Sequence, residues 1–487
     1  MPAHSDPLGD RTDPFLAVPE LPEQAEAVAE NAAARLERVQ RGEAAFIRWR
    51  YLALQPPHLT RLLPQLPSFL PGCEDLLLDA PGFTAQDFDC TLAEAVPQLA
   101  FSDALPLLAQ AFDLDTALAQ HAEVALASFA PSRIYLRNHH RQGLSGLNDF
   151  RLRFYHLEDL APEAPAFAIT RGLAKWFAEV LPERKPCAAL AGNGGALREF
   201  LAAVAAEPEK LPAHVAKLKL SLRSAERTHV GRVRTNNEDA YLVLHSRLEG
   251  VSESSSVFAV ADGMGGHNAG ELASSLALEL LRFYSGLWPL GRGSRQRPTP
   301  TLIAEHLQTM SLEIHDSAAG DSALADMGTT LSGIFLTYSG SLEAGTPLVS
   351  LTGYVFNVGD SRTFAVGADT HRPLTRDHSY VQQLLDTGAI TEEEAYAHPQ
   401  RNVVLQGLGI TPAITPDVSF FRPALDAFTV ICSDGLTDLV RAPQMMALAA
   451  EAGSADSLAD ALVDEALAQG GKDNITVIVL QPRMEFA

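Results

Sequence analysis

The apolar residues change their spacing near residue 220. Upstream the pattern is helical and often interrupted, and downstream short apolar runs dominate. Residues 1–20, rich in Pro, Asp and Gly, read as a mobile tail. From Leu21 an Ala-, Glu- and Arg-rich stretch continues to Gln40, ahead of Gly42, with Pro22 suited to a first helical turn. Helical spacing returns at residues 92–95, 104–112, 115–129, 170–180 and 196–206. Pro56, Pro57, Pro64, Pro67, Pro71, Pro81, Pro97 and Pro106 punctuate this half. Together these patterns predict an irregular α-rich domain over 21–215. Gly192-Asn193-Gly194-Gly195 reads as a turn. No Lys-Ser/Thr follows it, so a phosphate loop is not indicated. Residues 210–222 alternate Lys with apolar residues and read as a linker.

Beyond the linker, strands are predicted at 240–244, 257–261, 330–338, 348–358, 362–366, 428–432 and 475–480. Two longer helical runs, 270–283 and 302–317, lie between them. Residues 285–301, rich in Pro, Gly and Arg, read as an exposed loop. Clustered strands with helices between them predict an α+β layered domain, with helices covering the sheet faces.

Two of the predicted strands end on an Asp-Gly pair. One runs from Val257 into Asp262-Gly263, the other from Phe428 into Asp434-Gly435. A single Asp-Gly is a common turn. Two such pairs, with Asn237-Glu238-Asp239 upstream and Lys472-Asp473-Asn474 downstream, suggest several carboxylates at one site. Carboxylates do not crowd together without a cation. Oxygen-only ligation favours a hard ion such as Mg²⁺ or Mn²⁺.

Net charge is -23, which argues against a generic nucleic-acid or anionic-membrane surface. Cys73, Cys90, Cys187 and Cys432 are scattered, with no CxxC pair, so neither a zinc knuckle nor a disulfide framework is indicated. Reduced thiols and the lack of an apolar leader near Met1 fit a cytoplasmic protein. No apolar stretch is long enough to span a membrane. Residues 133–141 and 150–156 mix Arg and His with Tyr, Phe and Leu. They read as two strands or a hairpin with a solvated basic face, or as an anion- or partner-binding patch. His139 and His140 lack a further apparent metal ligand.

Six motifs then occur in order: Val233-Arg234-Thr235-Asn236-Asn237-Glu238-Asp239, Asp262-Gly263-Met264-Gly265-Gly266, Met327-Gly328-Thr329-Thr330, Asn357-Val358-Gly359-Asp360-Ser361-Arg362, Ser433-Asp434-Gly435 and Gly471-Lys472-Asp473-Asn474. The set resembles the metal-dependent serine/threonine phosphatases of the PP2C, or PPM, family, especially the bacterial branch, over residues 222–483. The resemblance implies a four-layer α-β-β-α sandwich with two central antiparallel sheets. It implies that Asp262 bridges two Mn²⁺ or Mg²⁺ ions and that the Gly263 carbonyl binds one of them. Asp434 and Asp473 bind the other, while Glu238 and Asp239 act through water. Arg234 falls where the family grips phosphate, and Asp360 where many members help hold a third ion with Asp434. Residues 375–406 resemble the bacterial flap, where Ser379, His398 and Arg401 are candidates for shaping access. Thr391 with Glu394 predicts a capping box there.

The implied activity is hydrolysis of phosphoserine and phosphothreonine by a hydroxide between the metals, so no nucleophilic side chain is required. Partners implied are phosphoproteins, a serine/threonine kinase or its substrates. The alternative is a non-catalytic pseudophosphatase or phosphoprotein-binding module, against which the intact Asp262, Asp434, Asp473 and Arg234 argue. Many eukaryotic members carry His where this chain has Met264, and a thioether cannot donate a proton. His267 is the nearby candidate acid.

Overall fold

The computed structural model describes residues 24–30, 34–41, 44–51, 73–76, 82–86, 90–94, 104–122, 125–138, 150–154, 160–161, 163–180, 188–247, 253–265, 269–286, 298–318, 324, 327–339, 342–343, 346–347 and 350–487. The tail reading of 1–20, His139, His140 and His267 lie outside the described residues.

The N-terminal half combines sheets with helices. Strands β1 (Gln24–Glu30), β2 (Ala34–Arg41), β3 (Ala44–Tyr51), β4 (Cys73–Leu76) and β5 (Gly82–Gln86) form one sheet in the order β1-β2-β3-β5-β4. The helix expected over 21–40 is therefore corrected to two antiparallel strands. Ala, Glu and Arg favour helix only weakly. Here β2 pairs along its length with β3, whose Phe46, Ile47, Trp49 and Tyr51 are strand formers.

Short strands β6 (Cys90–Thr91), β8 (Ile134–Asn138) and β9 (Phe150–Phe154) make a second sheet, and β7 (Ala125–Leu126) pairs with β10 (Leu160–Ala161). The expected hairpin is present as β8–β9. Residues 92–94 are a turn rather than a helix. Helices α1 (Ala104–Ala122), α2 (Ala168–Val180), α3 (Ala191–Ala206) and α4 (Leu211–Val215) complete this half. On α1, Asp115 accepts the amides of Ile169 (3.3 Å) and Thr170 (2.8 Å), and so caps the N-terminus of α2.

The C-terminal half is the layered sandwich. One sheet runs β11 (Leu218–His229), β23 (Ile475–Phe486), β22 (Phe428–Cys432), β19 (Arg362–Val366), β20 (His371–Pro373). The other runs β12 (Asp239–Arg247), β13 (Glu253–Met264), β15 (Leu331–Ser339), β18 (Ser350–Val358), β21 (Asp417–Phe421), with β14 (Gly328–Thr329) beside β13. A small hairpin, β16 (Leu342–Glu343) with β17 (Thr346–Pro347), precedes β18.

Strand alternation builds the layers. Phe258 and Val260 face Ile334, Ile431 and Ile478 between the sheets. Val257, Ala259 and Ala261 face helices α5 (Ala269–Gly286) and α6 (Pro300–Ala318), through Ala273, Leu281 and Leu307. On the opposite side Val430 and Val479 pack under helices α10 (Ala442–Glu451) and α11 (Ala455–Ala468). Between β20 and β21 lie α7 (Tyr380–Asp386) and α8 (Glu392–Ala397). The one-turn helix α9 (Asp434–Thr437) follows β22.

The stretch 210–222 read as a linker is instead helix α4 followed by the start of β11. Strands β11 and β23 stay in register from Leu218↔Phe486 to His229↔Ile475, whereas β22 reaches only to Leu480. Residues 481–486 thus form a two-stranded ribbon with β11 that leaves the sandwich and enters the core of the N-terminal half. Leu218 and Met484 are buried there with Phe177, Phe200 and Leu201, and Phe486 meets Phe200 edge-on at 5.7 Å.

The Gly192–Gly195 run is not a turn but the first helical turn of α3. Its Asn193 is buried. Asn193 Nδ2 donates to the carbonyls of Leu425 (2.8 Å) and Pro482 (2.9 Å), and its Oδ1 accepts the Met484 amide (2.8 Å). Those backbone bonds explain why a weak helix former is held at the helix start.

Candidate active site

The carboxylates lie at the ends of strands from both sheets. Antiparallel pairing sets Asp239 directly opposite Asp262 at the tips of β12 and β13. Asp262 is fixed by its backbone. Its amide donates to Thr330 Oγ1 (3.0 Å), and its carbonyl accepts from the Thr330 amide and Thr329 Oγ1, both at 2.9 Å. Thr330 Oγ1 lies 2.7 Å from Ser361 Oγ, which ties the Asp262 tip to the loop carrying Asp360.

Gly263 must be glycine. A Cβ there would stand 2.0 Å from the Gly270 carbonyl oxygen at the start of α5, and 2.7 Å from that of Glu238. Glu238 lies against the same helix, since a Cβ on Gly270 would meet its carboxyl carbon at 2.9 Å.

Asp434 begins α9 beyond β22, and Asp473 precedes β23, the neighbouring strand. Asn474 locks the loops together. Its side chain accepts the Glu238 amide (2.8 Å) and donates to the carbonyls of Val230 and Asn236, both at 2.9 Å. Ser433 Oγ donates to Asp239 Oδ2 (2.7 Å) and accepts from the Thr476 amide (3.0 Å). Arg234 Nη2 donates to Asp473 Oδ2 at 2.8 Å.

Electrostatics are dominated by crowding. Asp239 and Asp360 are buried, while Asp262 and Asp434 are partly exposed at the cleft. Withdrawal from water and the charges of Asp239, Asp434 and Asp360 push Asp262 well above the ordinary carboxylate range. Desolvation, then the neighbouring Asp434 and Asp473, carry Asp239 up to about 7 against the pull of Ser433 and Thr476. Desolvation with Asp438 and Asp473 carries Asp434 to about 6. Asp360 is likewise raised, by desolvation and then by Asp434 and Asp377, against the pull of Arg362.

These groups fit an oxygen-loving cation. Asp239 Oδ1 is buried without a hydrogen-bond partner, and the raised carboxyls are short of positive charge. Among the described residues no three acidic, histidine or cysteine side chains already stand as a ligand set. The Arg234 contact on Asp473 supplies positive charge at one side of the group.

Beneath the site, Arg362 holds Asp377 through Nε (2.9 and 3.0 Å) and Nη2 (2.6 Å). Met264 follows the Asp262-Gly263 tip and pairs with Gly328. The space a Gly328 Cβ would fill is occupied by Ile410, whose Cγ1 is 2.5 Å from that position.

The flap between β20 and β21 is pinned at several points. The His378 amide donates to the Gly359 carbonyl (2.8 Å), and the Leu405 amide to the His378 carbonyl (2.7 Å). Ser379 caps α7, and the expected Thr391–Glu394 capping box opens α8. His398 closes α8, and its Nδ1 accepts the Gln400 amide. Arg401 reaches Asp438, one helical turn after Asp434, at 3.3 Å. Arg441 lies over the Tyr396 ring at 4.3 Å and 3.3 Å from Glu393.

Sequence reading missed Asp438, Asp377, Thr330 and Asn193 as positioning groups. Thr330, Asn474 and Ser433, each within one of the six motifs, nevertheless carried a signal.

The family model described as "Protein phosphatase 2C" matches residues 228–469. The serine/threonine phosphatase stp of Listeria welshimeri is 35% identical over 257 residues, 52% of this chain and 94% of that protein. The serine/threonine protein phosphatase PstP of Mycobacterium tuberculosis is 34% identical over 270 residues, 54% of this chain and 46% of that protein. The solved structure of serine/threonine phosphatase Stp1 from Staphylococcus aureus matches 54% of this chain and 95% of that chain, at 28% identity and a TM-score of 0.47.

Proposed function

Because this chain belongs to the protein phosphatase 2C family, we propose that the cleft between its two sheets removes phosphate from phosphoserine and phosphothreonine in proteins. The enzyme is a phosphoprotein phosphatase, a hydrolase of phosphoric monoesters. The observation that carries the assignment to this cleft is the gathering of Asp239, Asp262, Asp434 and Asp473 beside the exposed Arg234.

Divalent cations fit this acidic set. Asp262, the Gly263 carbonyl, Asp434 and Asp473 would hold two Mn²⁺ or Mg²⁺ ions, Glu238 and Asp239 would act through water, and Asp360 with Asp434 would hold a third. When bound, such ions lower the pKa of water and offset charge on the phosphoryl oxygens. The protein's own groups bind and orient. Arg234 offers two N–H groups to one phosphate, and Asp473 aims the guanidinium. Ser433 fixes the Asp239 carboxylate, and Asn474 fixes the loop carrying Glu238. Flap residues Ser379, His398 and Arg401 shape the approach of the substrate.

The substrates of this reading are products of a serine/threonine kinase, or the kinase itself. No helix among the described residues is long and apolar enough to cross a membrane. The buried free thiol of Cys432 is compatible with a reducing, cytoplasmic setting.

The test is hydrolysis of an aryl phosphate and a phosphothreonine peptide by the full chain with Mn²⁺, Mg²⁺ or chelator. Metal-dependent turnover that disappears in Asp262→Ala is expected. Turnover that persists in chelator, or in Asp262→Ala, overturns the metal assignment.

A further inference from the structure

Two cations beside Arg234 have no role in the reading above. The Arg232 amide donates to the Gly471 carbonyl at 2.7 Å, which joins the loop before β12 to the loop before β23. Arg232 Cγ lies 3.3 Å from the position a Gly471 Cβ would take, so its side chain passes directly over the residue preceding Lys472. Gly231 clamps the junction. It has φ +85°, and a Cβ there would stand 2.3 Å from the Asp473 carbonyl oxygen. Arg232 and Lys472 thus sit on two loops joined at this junction, each exposed, and these loops carry the two halves of the Arg234–Asp473 pair.

Among the described residues neither makes an ion pair, while Arg234, two positions on, is taken by Asp473. On a chain of net charge -23, with 60 acidic against 37 basic residues, two unpaired cations fixed at the rim of an acidic cleft are unexpected. From this placement we infer that Arg232 and Lys472 form a subsite for a second negative charge on the substrate: an acidic or additionally phosphorylated residue a few positions from the phosphoresidue being hydrolysed. The inference rests on the phosphatase assignment and names the substrate class that the site selects.

The subsite reads charge along an extended peptide, which advances about 3.3 Å per residue. Exposed charges act over about 8–10 Å at ordinary salt, so a charge two or three residues away is within range. Substrates with neutral or basic flanks gain nothing from it. The contact is made on binding, so it acts on KM more than on kcat.

The experiment compares phosphothreonine peptides carrying Asp, a second phosphothreonine, Ala or Lys at two and three residues on either side, using the full chain with Mn²⁺. Expected is a kcat/KM about fivefold higher for acidic than for neutral flanks, carried by KM and shrinking as salt rises. Arg232→Ala with Lys472→Ala brings that ratio to about one. Arg232→Glu with Lys472→Glu inverts it in favour of Lys flanks, an outcome that general loss of folding cannot produce. Equal kcat/KM for all flanks in the wild type, with an aryl phosphate turned over in the same samples, overturns the subsite alone. Absence of aryl phosphate turnover overturns the phosphatase assignment instead.

Discussion

Arg234 donates to Asp473 at 2.8 Å, so the group proposed to grip phosphate is held by one of the carboxylates proposed to hold the metal. The contact raises the guanidinium's affinity for its proton, chiefly through that hydrogen bond. On the proposed reading, phosphate grip and cation ligation are mechanically joined in this cleft.

Arg234→Lys keeps the charge but loses the planar fork. Charge-assisted hydrogen bonds contribute about 1.5–3 kcal/mol, so kcat/KM should fall roughly 10- to 100-fold. Steady-state kinetics on a phosphothreonine peptide measure this. A variant within twofold of wild type would remove Arg234 from phosphate binding.

Cation binding should also stabilise the fold. A ligand at a hundred times its dissociation constant adds about 2.7 kcal/mol. Mn²⁺ should therefore raise the thermal midpoint in a saturable way, and chelator should reverse it. Asp262→Asn should lose that rise. Differential scanning calorimetry of both proteins, with and without Mn²⁺, reads the effect independently of turnover.

Asp115 gives a pH signature remote from the cleft. It is buried, and desolvation lifts it from 3.8 to about 6, against the amides and hydroxyl it accepts and the charge of Arg171. The folded pKa exceeds the unfolded one, so the folded state holds the extra proton. Its contribution is complete below the unfolded value and is lost as pH rises through about 6. The loss is on the order of 3 kcal/mol between pH 4 and 7. Asp115→Asn cannot titrate. Denaturant unfolding should show wild-type stability falling relative to the variant over that window, and parallel curves would refute it.

Asn193→Ala leaves two buried carbonyls and one amide without their side-chain partner. A loss of about 2–4 kcal/mol is expected, measured by urea unfolding of the full chain. A change below about 0.5 kcal/mol would mean that the contact does not hold the halves together.

The sandwich was legible because both faces of its strands are buried. Val257, Ala259 and Ala261 pack under helices while Phe258 and Val260 pack between sheets, so the run is apolar throughout and ends sharply at Asp262. Strand β11 was not legible. Its alternating Lys and Ser positions read as solvated, yet it takes its place by pairing with β23 across more than two hundred residues. Composition misled at 24–41 as well, where pairing with an aromatic-rich strand overrides helix propensity. The acids and Arg234 were found because they cluster in motifs. Asp438 and Asp377 were missed because each sits one loop or one helical turn away and acts through a partner, Arg401 or Arg362.

The ribbon also sets an order of events during synthesis. Helices α1 to α4 are made early, but their core includes Met484, about 270 residues after Val215. At roughly 5–20 residues per second, those helices wait about 15–50 s on the ribosome for the strand that completes them. Until then Phe177, Phe200 and Leu201 lack part of their cover. The first half of this polypeptide to be translated is thus among the last parts to finish folding.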